Sequence, residues 1–262
     1  MILAAGRGER MRPLTDHTPK PLLGAGGKPL IVWHIERLVN AGITELVINH
    51  AHLGEMIEKV LGDGSRFGAQ IQYSAEASAL ETAGGIANAL PLLLPSHRGK
   101  FEGDGSPFAV INGDIYCDYD FARLPEHAAA LHASGDAAHL VLVDNPVHHP
   151  KGDFCLEGTR VTSSILNPSR NNLELSSLVV QGSPLRPESS LLTFSGIGLY
   201  QPSLFSHIPR GSVAPLAPLL RAQIALGKVS GEHHAGFWLD VGTPQRLQEL
   251  DEYLHTIQAH HD

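Results

Sequence analysis

The segment between Leu3 and Pro21 constrains this chain more than any other. A short apolar run, Met1 to Ala4, breaks into Ala5-Gly6-Arg7-Gly8-Glu9-Arg10-Met11-Arg12-Pro13, and Thr18-Pro19-Lys20-Pro21 follows closely. The run reads as a buried strand, and the prolines keep the loop extended and out of helix. Gly6 and Gly8 let backbone N–H groups approach a bound group with no Cβ in the way. Arg10, Arg12 and Lys20 add cations of the kind phosphate oxygens accept. Together these residues describe a polyphosphate cradle at the end of a strand.

A Gly-x-Gly after a strand also opens a dinucleotide fingerprint. Here Met11 stands where the third glycine belongs, and the strand read over Thr44 to Asn49 ends in Asn49-His50 without an acidic residue. A purely structural turn would not need three clustered cations. The net charge of −8 argues against a general nucleic-acid surface. A basic loop in an acidic chain points instead to a small anionic ligand. Cys117 and Cys155 sit in no metal-type spacing, which points to a reducing, cytoplasmic setting. No apolar run reaches the roughly 18 residues a membrane span needs, and no charged and apolar leader is read at the N-terminus. The first strand is short and leaves room for a start a few residues upstream.

Strand and helix signals alternate through the first half. Leu30 to Val39 carries a helical apolar stripe, with Pro29 in its first turn and Gly42 as its stop. A strand over Thr44–Asn49, a helix over Glu55–Leu61 and a strand over Ala69–Ser74 follow. A helix over Ala83–Leu94 begins after a glycine-containing turn. Phe108–Asn112 reads as a strand, Phe121–Ala133 as a helix and His139–Val143 as a strand. This alternation predicts an α/β fold with a mainly parallel sheet covered on both faces. Ligands of such sheets bind outside the carboxyl ends of the strands, so the loops Ala5–Lys20, Glu76–Gly85 and Gly113–Asp118 are the places to look. After Val143 a hairpin over Asp153–Glu157 and Arg160–Ser164 precedes a long strand at Leu191–Tyr200. A helix over Pro215–Leu226, a strand at Phe237–Val241 and a last helix capped by Thr243 complete the reading. Leu166–Ser190 and Lys100–Pro107 read as polar loop excursions.

Asp114, in Asn112-Gly113-Asp114, and Asp240, in Trp238-Leu239-Asp240-Val241-Gly242-Thr243, both close strands. Either alone is equally well a turn residue. As a pair beside a phosphate loop they fit Mg²⁺, which takes one or two carboxylates plus phosphate oxygens and water. Glu81-Thr82-Ala83-Gly84-Gly85 offers backbone groups to a base or ribose, or a simple helix cap at Thr82. The 16 histidines show no His-x-x-x-His spacing and read mostly as surface or core residues.

With these segments in view, the chain resembles the sugar-1-phosphate nucleotidyltransferases. A narrower resemblance is to the bacterial N-acetylmuramate α-1-phosphate uridylyltransferases of cell-wall recycling. It rests on Val47-Ile48-Asn49-His50-Ala51, Leu80-Glu81-Thr82, Leu142-Val143-Asp144-Asn145-Pro146 and Gly152-Asp153-Phe154. Leu192-Thr193-Phe194-Ser195-Gly196 and Lys228-Val229-Ser230-Gly231-Glu232-His233 add to it.

The resemblance implies a three-layer Rossmann-like (GT-A-like) α/β fold with a mixed, mainly parallel central sheet. It implies one domain over 1–262, with a nucleotide-binding half of about 1–143 and a sugar-binding half of about 144–262. The implied reaction is Mg²⁺-dependent transfer of UMP from UTP to a sugar 1-phosphate, N-acetylmuramic acid α-1-phosphate first, with release of pyrophosphate. Glucose 1-phosphate with dTTP or UTP, mannose 1-phosphate with GTP, and a non-catalytic sugar-nucleotide sensor are the alternatives.

The resemblance also assigns residues. Ala5, Gly6, Gly8, Glu9, Glu81, Gly84 and Asn112 would surround the nucleotide. Arg10 and Lys20 would act on the triphosphate, Asp114 and Asp240 would hold Mg²⁺, and Asp153, Ser195 and Gly196 would contact the sugar. Partners are then a nucleoside triphosphate and a sugar phosphate, with no nucleic acid and no membrane, in a monomer or small homo-oligomer. The Glu-Lys-Pro segment of many relatives is missing from this sequence.

Overall fold

The computed structural model describes residues 1–94, 105–163 and 191–259. β1 (Ile2–Leu3) leads through the glycine loop and a short hairpin, β2 (Gly24–Ala25) and β3 (Lys28–Pro29), into α1 (Leu30–Asn40). β4 (Glu45–His50), α2 (Gly54–Leu61), β5 (Gln70–Ala75) and α3 (Glu81–Leu93) follow. Next come β6 (Phe108–Asn112), β7 (Ile115–Cys117), α4 (Leu124–Ser134) and β8 (Ala138–Val143). The hairpin β9 (Phe154–Glu157) and β10 (Arg160–Thr162) precedes β11 (Leu191–Tyr200) and α5 (Leu216–Ala225). β12 (Val229–His234), β13 (Trp238–Asp240) and α6 (Pro244–Gln258) end the chain.

The central sheet has nine strands in the order β5-β4-β1-β6-β11-β8-β12-β10-β9. β5, β4, β1 and β6 run parallel, as the alternation predicts. β11 enters antiparallel to both β6 and β8, so the sheet is mixed. β9 pairs with β10 and also with β11, which closes β11-β8-β12-β10-β9 into a ring. Side chains alternate across the sheet as a period of two requires. Leu46, Ile48, Ile111 and Val141 join the core under α1, α2 and α4. Val47, Val110, Leu140 and Leu142 join the core under α3 and α5. Three layers result. α6 packs instead on a separate cluster built from Met11, Leu30, Tyr116 and Val241. Among the described residues no helix is long and apolar enough to cross a membrane.

Several expectations are corrected. Gly84 and Gly85 lie inside α3, which starts at Glu81, and not in a turn before it. Pro29 ends β3 and caps α1 from outside. Residues 121–123 form a separate 3₁₀ turn before α4. The 237–241 segment supplies β13, which pairs with β7 outside the main sheet. β12 and β7 carry no strand signal strong enough to read, because β12 is Val-Ser-Gly-Glu-His-His and β7 has three residues. The 166–190 excursion and most of 100–107 lie outside the described residues.

His34 ties the first helix to the strand that carries the site. It is buried on α1, 2.7 Å from the Ile115 carbonyl of β7, and burial pushes its pKa down from 6.5 to about 4. Below pH 6.5 the unfolded chain takes up a proton that the folded chain refuses until about pH 4. The stability this group contributes is therefore complete above pH 6.5 and lost as the pH falls toward 4, by about 3 kcal/mol. Urea midpoints measured across that interval should fall in the wild type, and His34→Gln should remove this part of the slope.

Candidate active site

β4, β1 and β6 end in register, with Leu3 opposite both Asn49 and Asn112. The glycine loop therefore leaves the sheet between two asparagines. Asn49 is buried; its Oδ1 accepts from the Ala4 N–H (2.9 Å) and its Nδ2 donates to Glu76 Oε1 (2.6 Å). Glu76 is buried too, and its other oxygen accepts from the Leu80 N–H (2.9 Å). Two loops that meet the ligand region are thus tied together through one amide. Glu81, the next residue after Leu80, holds φ at 59°, a left-handed conformation that costs a side-chain-bearing residue of order 1–2 kcal/mol.

The loop is shaped by Gly8 and Met11. Gly8 holds φ at 70°, and its carbonyl accepts from the Met11 N–H (2.9 Å) and the Thr15 hydroxyl (2.9 Å). Met11 is fully buried in the cluster beneath α6. The residue that breaks the dinucleotide fingerprint is thus the anchor of a different loop. Gly6 is exposed, with open space where a Cβ would stand. Arg12 turns away to Asp16 (2.7 Å) and takes no part in the cleft.

Lys20 follows Pro19 into a 3₁₀ turn that buries its side chain to 8% exposure, and its Nζ meets Asp114 Oδ2 at 2.6 Å. An ammonium this buried needs such a partner. Asp114 is placed by Gly113, whose N–H donates to the Leu3 carbonyl (2.8 Å). A Cβ on Gly113 would stand 2.6 Å from that same oxygen, so only glycine allows the approach. β13 then pairs with β7, with Asp240 opposite Ile115 and the Val241 N–H donating to the Asp114 carbonyl (2.9 Å). This pairing brings together two aspartates that are far apart in sequence. Asp240 Oδ2 accepts from Arg246 Nη1 (2.7 Å) and lies 3.4 Å from His148 Nε2. Arg246 sits in the first turn of α6, where the Thr243 hydroxyl oxygen accepts its backbone N–H (3.3 Å).

Two clefts meet at Asn112 and Asp114. The first is lined by Ala5, Gly6, Lys20, Asn49, Glu76, Glu81 and Thr82, so it draws on all three loops named from the sequence. The second is lined by Arg10, His148, His149, Thr193, Ser195, Trp238 and Asp240. Gly8, Glu9 and Arg10 line a smaller hollow with Lys20 and Gly242. Arg10 makes no hydrogen bond or ion pair with another described residue. Asp114 and Asp240 both line the second cleft as hard oxygen donors, and among the described residues each pairs with its cation through Oδ2. That donor set suits Mg²⁺.

Other sequence-named residues have structural work. Gly84 donates its N–H to Ala214 (3.0 Å), and a Cβ there would meet the Ser212 carbonyl at 2.3 Å. It packs α3 against that segment and is not among the residues lining either cleft. The Ser195 hydroxyl donates to the Val141 carbonyl (2.7 Å) and accepts from the Ile197 N–H (3.1 Å), within a bulge of β11. Gly196 holds φ at 84° in the same bulge, against Asn112. Asp153 Oδ2 accepts from the Phe194 N–H (2.9 Å) and holds the start of β11. Asn49, Glu76, His148 and Arg246 are site residues that the sequence reading did not name. Their signals are the Asn-His end of β4, the start of the Glu76–Gly85 loop, a His-His pair and a cation one turn beyond a helix cap.

A parallel sheet ending in a glycine loop, a buried lysine and two adjoining aspartates defines a nucleotide-handling α/β enzyme class. The sequence model of the family described as Nucleotidyl transferase matches residues 1–152, and the chain belongs to that family. It is 52% identical over 257 residues to an N-acetylmuramate alpha-1-phosphate uridylyltransferase of Neisseria meningitidis, covering 95% of each chain. It is 31% identical to a mannose-1-phosphate guanyltransferase of Hypocrea jecorina, over 94% of this chain and 61% of that protein. In fold it matches a crystal structure of a putative glucose-1-phosphate thymidylyltransferase from Bacillus anthracis in complex with a sucrose. That match has a TM-score of 0.73 at 22% identity and covers 97% of this chain and 93% of the other.

Replacing Asn49 by Ala strands the Ala4 N–H and leaves Glu76 short of a donor. The expected loss is about 3 kcal/mol in urea unfolding with an unchanged m-value; a loss below about 1 kcal/mol would contradict the bridging role.

Proposed function

We propose that this chain transfers UMP from UTP to N-acetylmuramic acid α-1-phosphate, releasing pyrophosphate, in the cytoplasm and with Mg²⁺. The observation that carries the reading is the meeting of two clefts at Asn112 and Asp114, one opening on the glycine loop and the other on Arg10 and Asp240. Similarity to the Neisseria meningitidis protein supports the choice of base and sugar. The nucleotide lies in the first cleft, against the backbone of Ala5 to Gly8 and beside Glu81, in the half up to about residue 143. The sugar phosphate enters the second, beside His148, Thr193 and Ser195.

A sugar-phosphate oxygen attacks the α-phosphorus of UTP, an O–P bond forms, and the bond to the β-phosphate oxygen breaks. The nucleophile is already anionic at neutral pH, so the reaction needs no general base. The protein must align two anions that repel each other and stabilise the charge that develops. Lys20 serves the α-phosphate from a fixed, buried position. Arg10, unpaired among the described residues, serves the β- and γ-phosphates. Asp114 and Asp240 would hold Mg²⁺, which supplies Lewis-acid neutralisation of phosphate oxygens. Arg246 holds Asp240 in place for that role.

Lys20→Ala should lower kcat by roughly 10²- to 10³-fold with a much smaller change in KM; wild-type turnover would remove Lys20 from the mechanism. Pyrophosphate release across a grid of nucleoside triphosphates and sugar 1-phosphates tests the whole assignment. UTP with N-acetylmuramic acid α-1-phosphate is expected to turn over best. Preference for another pair ends the sugar assignment, and nucleotide binding without pyrophosphate from any pair ends the catalytic one.

A further inference from the structure

A second cluster of chemistry-bearing residues lies away from both clefts, where α4 crosses β8 and β12. His127 projects from α4, His139 from β8 and Glu232 from β12, and their ligand atoms lie within 4.8 Å of one another. The imidazoles stack, with centroids 4.5 Å apart. Both Nε2 atoms face the same carboxylate oxygen, Glu232 Oε1, at 2.9 and 3.7 Å. Both are out of contact with solvent and have no hydrogen-bond partner among the described residues, and His139 as a residue is only 8% exposed. Buried polar atoms are ordinarily paired, so two orphans aimed at one oxygen call for a cause.

The surrounding bonds say what is missing. Ser230 Oγ lies 3.5 Å from the Ala138 carbonyl, to which it can only donate, and 3.0 Å from His139 Nδ1. With the hydroxyl proton directed to the carbonyl, Ser230 accepts from Nδ1–H. His139 then presents a bare lone pair at Nε2. With its proton on Nδ1, His127 presents a second one, and these two nitrogens and the carboxylate oxygen converge within 4.8 Å of one another. Tyr119 donates to Oε1 (2.6 Å) and Arg123 to Oε2 (2.6 Å), which fixes the carboxylate orientation as outer-shell partners of metal ligands do.

We propose that His127, His139 and Glu232 form a site for a divalent transition ion of the zinc class, separate from the Mg²⁺ position. Two imidazole nitrogens and one carboxylate oxygen are a zinc donor set. Bond lengths of about 2.0–2.2 Å put neighbouring tetrahedral donors about 3.3–3.6 Å apart, and the two nitrogen-to-carboxylate separations of 2.9 and 3.7 Å bracket that range. The fourth corner is left for water. The ion pins α4 to the sheet, and none of its three ligands lines either cleft.

The test uses the full chain without a histidine tag, stripped with chelator, loaded with Zn²⁺ in excess Mg²⁺ and gel-filtered. The wild type and Asp114→Asn/Asp240→Asn should each retain one zinc per chain, and His127→Gln/His139→Gln should retain none. Zinc should raise the Tm of the wild type and leave that of the histidine variant unchanged. Zinc retained equally by a folded histidine variant, or lost only from the aspartate variant, overturns the site, as does a wild type that retains none. Should the histidine variant fail to fold, imidazole ¹⁵N spectra of the wild type decide. Zinc-dependent shifts of the Nε2 signals of two rings support the site, and unmoved signals overturn it.

Discussion

The amide of Asn49 is the interaction on which the candidate site rests. Three parallel strands end at the same level, and a parallel sheet leaves the backbone groups at such an end without ladder partners. Asn49 accepts from the first N–H beyond β1 and donates to the buried Glu76, which in turn accepts from Leu80. One side chain thus satisfies the strand end and holds the glycine loop and the loop before α3 at a set spacing. Asn112, on the other side of Leu3, faces the meeting point of the two clefts. The loops can be glycine-rich because their ends are held by side chains.

Charge is handled by pairing. Lys20 is buried against Asp114 and Arg246 against Asp240, so each aspartate stands beside a cation. Such pairs add little net stability once desolvation is counted, and their value is in fixing positions. Lys20 and Asp114 come from loops that follow neighbouring strands, whereas Asp240 is delivered by β13, which belongs to no larger sheet. The two-stranded pairing of β13 with β7 therefore completes the constellation, and His34, packed against Ile115, holds β7 from behind.

The second cleft depends on the irregularity of β11. This strand runs against its neighbours on both sides, closes the ring with β9, and bulges at Ser195-Gly196. The bulge consumes the Ser195 hydroxyl and brings Gly196 against Asn112, while the Ser195 carbonyl accepts from the Trp238 indole (2.8 Å). Ser195 and Gly196 thus shape the cleft through backbone. Its ionisable lining comes from Arg10, Asp114, the His148-His149 pair and Asp240, which belong to four separate parts of the chain.

Local physics made much of this protein legible in its sequence. Glycines, prolines and cations between Leu3 and Pro21 describe an anion-binding loop wherever they occur, because backbone access and charge are properties of the residues themselves. The alternation of apolar periods likewise determined the parallel half of the sheet, its helices and the hairpin at 154–162. Tertiary structure alone decided what depends on distant partners. It closed the second half into a ring and recruited β12, whose polar sequence carries no strand period. It put Gly84 and Gly85 inside a helix, Gly84 against Ser212 and Ala214 and Gly85 against Glu76 and Asn49. It set Asp240 beside Asp114 through a pairing of residues more than a hundred positions apart. Chemistry shared by two distant segments has no local signature, so the loop at Leu3–Pro21 was readable as a cradle, while the clefts it serves exist only in the folded chain.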